Sequence, residues 1–107
     1  MADTYANFAE LSASETEGED YRIRVTDRGS AIAIIAPHGG KIELGSTEVA
    51  TAIAGSDLSL YLFEGIDSSD NGRLHITSTH FDEPRGVALV SGATTSLRCM
   101  AAPMATM

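Results

Sequence analysis

The sequence predicts an α/β fold: a mixed, partly parallel sheet flanked by helices. Three observations carry this. The stretch YRIRVT, residues 21–26, alternates Tyr21, Ile23 and Val25 with Arg22, Arg24 and Thr26, the two-residue period of a half-buried strand. The runs AIAIIA at 31–36 and LSLYLFE at 58–64 are continuously apolar, as in strands covered on both faces. Between them, STEVATAIAG at 46–55 reads as a helix: Ser46 or Thr47 caps it, Glu48 lies in its first turn, and Gly55 ends it. Strands alternating with helices imply a layered α/β unit rather than an all-β one.

The remaining elements follow in order. Residues 4–13 carry Tyr5, Phe8 and Leu11 on one helical face, with Asp3 or Thr4 as N-cap. SETEGED then forms a solvated loop and DRGS a turn. After LSLYLFE, DSSDNG is turn-rich and LHITST at 74–79 reads as a further strand. FDEPRGVALVSGA supplies Asp82 as N-cap, Pro84 near the first turn and Val87, Leu89 and Val90 as an apolar face, hence a helix. No internal repeat or linker is visible, so the 107 residues form at most one domain, burying roughly two thirds of their unfolded surface.

Charge narrows the function. Seven Lys plus Arg against 15 Asp plus Glu give a net charge of −8, and the pI is near 4.6. Such a surface is not built to track nucleic-acid phosphates or an anionic membrane. It is also poorly steered toward a polyanion unless a cation or a local basic group screens the site. One cysteine, Cys99, allows no internal disulfide. The start MADTYANFAELSA lacks a basic and an apolar segment, so the expectation is a cytoplasmic protein with no membrane span.

The stretch APHGGKIELG, residues 36–45, holds the candidate chemistry. In open α/β sheets ligands bind beyond the carboxyl ends of the strands, and a loop carrying His38 and Glu43 leaves the end of AIAIIA. Gly39, Gly40 and Gly45 allow sharp turns and leave space for both side chains to face one ion. Imidazole plus carboxylate suits zinc, whose catalytic sites use three protein groups and one open position. The same letters also describe a tight turn with a surface histidine and a solvated Glu43.

TYANFAELSASETEGEDYRIRV, SAIAIIAPHGGKIELGSTEVATAIAG, LYLFEG and LHITSTHFDEP together resemble, in order and spacing, the amino-terminal part of the phage and prophage poly-γ-glutamate hydrolase family, over roughly residues 4–95. The resemblance implies a zinc peptidase with a carboxypeptidase-like sandwich that cuts γ-amide bonds of poly-γ-glutamate. It makes His38 and Glu43 two zinc ligands. It also implies a third ligand, a histidine in a Val-His-Gly motif on the next strand, and a carboxylate general base farther on.

The chain departs from that pattern after GATTSL, where it reads RCMAAPMATM. Read two bases later, the codons for residues 98–107 give Leu, Val or Met, then His or Tyr, then an obligatory Gly, then a set that includes Cys. Val-His-Gly-Cys is thus admitted. The expectation is that residues 1–97 are the amino-terminal part of the domain, truncated, and 98–107 an out-of-frame tail; the alternative is a native divergent terminus. His75 is a possible auxiliary ligand, with structural or substrate contact as the competing role, while His80 reads as a surface residue. Cys99 offers a thiolate, but one in a tail of this origin is more simply an accident. Arg85 is a candidate partner for a substrate carboxylate, or for Asp82 or Glu83 beside it. Glu64 and Asp82 read as orienting acceptors or as caps and solvated charges. The expected function is therefore that of a zinc-dependent γ-glutamyl hydrolase family, without activity in this chain. The alternative is a non-catalytic, prophage-derived binding or remnant protein. The expected partner is poly-γ-glutamate or a similar acidic polymer.

Overall fold

The computed structural model describes residues 3–77, 80–93 and 95–98. Helix α1 (Phe8–Ser14) precedes strand β1 (Tyr21–Thr26), β2 (Ile32–Gly40), helix α2 (Ser46–Ala54) and β3 (Ser59–Gly65). A 3-10 turn (Asn71–Leu74), helix α3 (Pro84–Ser91) and β4 (Thr95–Arg98) follow. The strands form one sheet in the order β1-β3-β2-β4. β2 runs parallel to both β3 and β4, whereas β1 is antiparallel to β3. The mixed α/β sheet is therefore as the sequence predicts, with α2 as the crossover that parallel neighbours require. Among the described residues no helix is long and apolar enough to cross a membrane.

Both central strands are buried along almost their whole length, which explains their unbroken apolar runs. Alternation sorts their side chains into two cores. Ala33, Ile35, Tyr61 and Phe63 face Leu11 and Leu89, from α1 and α3, together with Leu74 and Ile76. Ile34, Ala36, Leu60 and Leu62 face Ala50 and Ala54 of α2, small residues that let the helix lie close. The first face is aromatic: Phe8 meets Tyr21 and Phe63 edge-on, and Phe81 does the same to Phe63.

Several local expectations are corrected. The first helix begins at Phe8 with Asn7 as N-cap, its side chain accepting the Glu10 N–H, rather than at Asp3 or Thr4. Asp3 is engaged elsewhere, accepting the Thr77 N–H at 2.6 Å. α2 is preceded by Gly45 in the left-handed region, with no side-chain cap from Ser46 or Thr47. α3 is capped by Glu83, which accepts the Arg85 and Gly86 N–H groups, and not by Asp82, which accepts the Phe8 N–H at 2.9 Å. LHITST forms no strand over its described residues: Leu74 ends the 3-10 turn and 75–77 pair with no neighbour. Its alternation arises because Leu74 and Ile76 are both buried in the aromatic-side core.

An ion cluster ties together the segments after α1, before β1 and after β3. Arg73 bridges Glu15 at 2.8 Å, Asp20 at 3.3 Å and Asp67. The Arg73 hydrogen bonds hold the Glu15 carboxyl below its ordinary 4.5, burial opposing them. Burial also raises Glu64, but its hydrogen bonds to Arg24, Thr47 and Arg22 outweigh this and leave it below 4.5. Depressed carboxyl pKa values mean the unfolded chain binds protons first, so their stabilisation is complete above 4.5 and is lost as pH falls through the folded values. The expected result is a urea midpoint that declines steeply below about pH 4.5 and recovers on return to neutrality, checked by titrating the unfolding midpoint with pH.

Candidate metal centre

β2 does not end at Ala36. It continues through Pro37-His38-Gly39-Gly40, with a register shift between Ala36, opposite Leu62, and Gly39, opposite Glu64. Such an irregularity re-aims a side chain at a strand end. His38 is accordingly buried, only 2% exposed, with Nε2 2.6 Å from the Ile76 carbonyl oxygen. A carbonyl only accepts, so Nε2 carries the proton and Nδ1 keeps its lone pair. Burial holds the His38 pKa below its ordinary 6.5, against the opposing pull of the Ile76 carbonyl, Glu43 and Asp3. A neutral imidazole with one N–H on a carbonyl and the other nitrogen free is the state a metal-ligating histidine adopts.

His75 stacks on this ring, centroids 4.0 Å apart and planes 21° from parallel. Its Nδ1 lies 2.9 Å from an oxygen of Asp3. The Asp3 carboxyl is kept below its ordinary 3.8, the Thr77 N–H and His75 outweighing its desolvation. Asp3 and His75 thus brace the His38 ring from one side while Ile76 fixes its tautomer.

Glu43 returns to His38 through a short turn. Its N–H donates to the His38 carbonyl at 3.1 Å, and the Lys41 N–H donates to Gly65 O at 2.9 Å. The half-buried Glu43 carboxylate has Ser46 Oγ at 3.5 Å, the outer limit of a hydrogen bond. Behind the turn, Thr47 Oγ1 accepts the Gly40 N–H at 2.9 Å and donates to Glu64 at 2.8 Å. Buried Glu64 is held in turn by Arg22 and Arg24 of β1. The two glycines sit where nothing larger fits: a Cβ on Gly39 meets Thr47 Oγ1 at 2.7 Å, and one on Gly40 meets Gly65 O at 2.6 Å.

The other candidates are placed as follows. His38, Glu43 and His75 do not bring three ligand atoms within 4.8 Å of one another; among the described residues Glu15, Asp20 and Asp67 do. That acidic set already contains the Arg73 guanidinium, a cation in the position a metal would take. Arg85 directs Nη1 and Nη2 at Glu17, at 3.0 and 2.9 Å, and Nε at Glu83 at 3.0 Å. Glu83 also accepts the buried Tyr61 hydroxyl at 2.7 Å; burial raises the pKa of that hydroxyl. His80 is exposed, and Cys99 lies outside the described residues. Sequence reasoning did not find Asp3 or Thr47 as parts of the centre. Asp3 is 74 residues from its Thr77 partner, and no local pattern signals such a contact.

The fold has close counterparts. The structure superposes on a bacteriophage poly-gamma-glutamate hydrolase with a TM-score of 0.86 and 42% identity, over 91% of this chain and 47% of that one. It superposes on the zinc-free apo form of YndL with a TM-score of 0.85. In sequence it is 47% identical over 87 residues to the UPF0714 protein YndL of Bacillus subtilis strain 168, and 47% over 90 residues to the SPbeta prophage-derived UPF0714 protein YoqZ of the same strain. These alignments take in 81% and 84% of this chain but 34% and 32% of the relatives, so it spans about a third of their length. A model of the poly-gamma-glutamate hydrolase family matches residues 5–99, and the chain belongs to that family.

Proposed function

We propose that the chain carries part of the zinc site of a hydrolase acting on γ-glutamyl amide bonds of poly-γ-glutamate, with His38 Nδ1 and the Glu43 carboxylate as two of the ligands. The observation that supports this most is the His38 ring: buried, with Nε2 2.6 Å from the Ile76 carbonyl, its pKa lowered by burial, and Nδ1 without a hydrogen-bond partner among the described residues. Bound there, zinc supplies a Lewis acid for the scissile carbonyl and lowers the pKa of its water toward ~7. The residues of the chain do the positioning: His75 and Asp3 hold the His38 ring, and Thr47 with Glu64 holds the turn that returns Glu43 to it.

Two protein ligands fall short of the three used by a catalytic zinc site. The proposal is therefore that residues 1–107 bind zinc weakly and do not release γ-glutamyl oligomers. His38→Ala and Glu43→Ala each reduce zinc affinity by more than the roughly 10–100-fold that an outer-shell partner is worth. Equilibrium zinc binding, with the His38 ring nitrogens followed by NMR, checks this; unchanged affinity in both variants rejects the ligand assignment. The short ligand set also favours a second reading, a non-catalytic poly-γ-glutamate binder. Polymer binding that persists in a chelator selects it.

A further inference from the structure

We propose that Arg22 and Arg24, on the sheet's edge strand β1, form a subsite for two successive side carboxylates of a γ-linked glutamate chain; this rests on the poly-γ-glutamate reading above. With a net charge of −8, the whole molecule repels a polyanion, so attraction must be local. The arginine clusters differ in their balance. Arg73 faces three carboxylates and Arg85 two, leaving both surroundings net negative. Among the described residues Arg22 and Arg24 share Glu64 alone, two positive charges on one negative.

Glu64 also pre-aims them. Its Oε1 accepts Nε of both arginines at 3.0 Å, and Arg22 Nη2 approaches it to 2.9 Å. Arg24 Nη2 donates to Oε2 at 3.2 Å. A guanidinium has five N–H donors, so each arginine retains several, and both side chains are about half exposed (51% and 50%). A guanidinium held by a buried carboxylate loses less freedom on meeting a second one.

Spacing fits the polymer. The backbones of residues two apart on one strand face stand about 6.6–6.8 Å apart, and the Nε atoms of Arg22 and Arg24, both 3.0 Å from Glu64 Oε1, stand within about 6 Å of each other. A γ-linked glutamate has five backbone atoms to the three of an α-linked residue, so the chain advances up to about 6 Å per residue, and rotation about its two methylene groups brings successive side carboxylates to one side. Location fits as well. Arg22 pairs with Glu64, and Glu64 with Gly39, which puts Arg22 two strand spacings, about 10 Å, from the residue after His38. A chain lying at His38 and Glu43 therefore reaches Arg22 within one or two residues.

The test is titration of the labelled chain with a short γ-glutamate oligomer, following arginine Nε–H signals by NMR at low and moderate salt. The expected result is movement of the Arg22 and Arg24 signals, binding that weakens with salt, and roughly tenfold weaker binding in Arg22→Gln, with Arg85→Gln close to the parent. Arg22→Gln leaves Arg24 on Glu64; if it nevertheless fails to fold, the Nε–H signals of the parent chain decide. Binding that is equal in Arg22→Gln, or that moves other signals only, overturns the subsite and leaves the poly-γ-glutamate reading standing. No binding by the parent chain overturns both.

Discussion

Gly40→Ala is expected to lower the unfolding free energy by about 3 kcal/mol, the largest loss from adding a single methyl group anywhere near the centre. Gly40 has φ +60°, and an added Cβ meets Gly65 O at 2.6 Å and Glu64 Cβ at 2.9 Å. The left-handed conformation costs an L-residue roughly 1–2 kcal/mol. Overpacking adds roughly 1–3 kcal/mol. Neither contact can yield cheaply: Gly65 O accepts the Lys41 N–H, and Glu64 is tied to two arginines and Thr47. For a domain of this size the loss corresponds to a fall in Tm of roughly 12–24 °C. Gly29→Ala is the control. Its φ is +65°, but nothing lies within 4 Å of an added Cβ, so only the conformational cost of about 1 kcal/mol applies. Thermal unfolding of the two variants separates strain from crowding; equal losses mean that the seat behind the His38 turn is not tight.

That seat also marks the limit of what the sequence made legible. The period of YRIRVT, the apolar runs of β2 and β3, and the helices after residues 45 and 83 are local patterns, and each appears where the pattern put it, except that β2 runs on through Gly40 and takes His38 out of the expected loop. The capping errors share one cause. Asp3, Thr47 and Asp82 are good capping residues by type, yet each is engaged away from its helix end: Asp3 with Thr77 and His75, Thr47 with Gly40 and Glu64, Asp82 with Phe8. Side chains drawn into such contacts leave the caps to Asn7, Gly45 and Glu83. LHITST failed differently. Leu74 and Ile76 alternate because both enter the core, and periodicity records which side is buried, not whether a strand lies alongside. The residues of the proposed centre, His38 and Glu43, were visible as a pair; the tautomer of His38 was not, because it depends on a carbonyl 38 residues away.

Replacing residues 98–101, Arg-Cys-Met-Ala, by Val-His-Gly-Cys is expected to raise zinc affinity by more than the roughly 10–100-fold attached to an outer-shell contact. The substitution is among those that the two-base shift in reading admits, and the register of β4 bears on where it would fall. β4 runs parallel to β2 with Ile32 opposite Thr95 and Ile35 opposite Arg98. In that register the next two positions of a strand on this edge come level with Ala36 and Pro37, immediately before His38. Neighbouring strands lie about 4.8 Å apart, so the histidine of the substituted chain, at position 99 and level with Ala36, lies one strand over and two residues short of His38. A third imidazole supplies the protein group that His38 and Glu43 lack. Zinc titration of the substituted chain, alongside an independent reading of the DNA past codon 97, tests both halves of the reasoning. A gain in affinity with an open shifted frame identifies residues 98–107 as an out-of-frame segment that displaced a ligand. A shifted frame that closes within a few codons, or a substituted chain that binds zinc no better, returns the search for the third ligand to His75, which already stacks on the His38 ring, and then to His80 and Cys99.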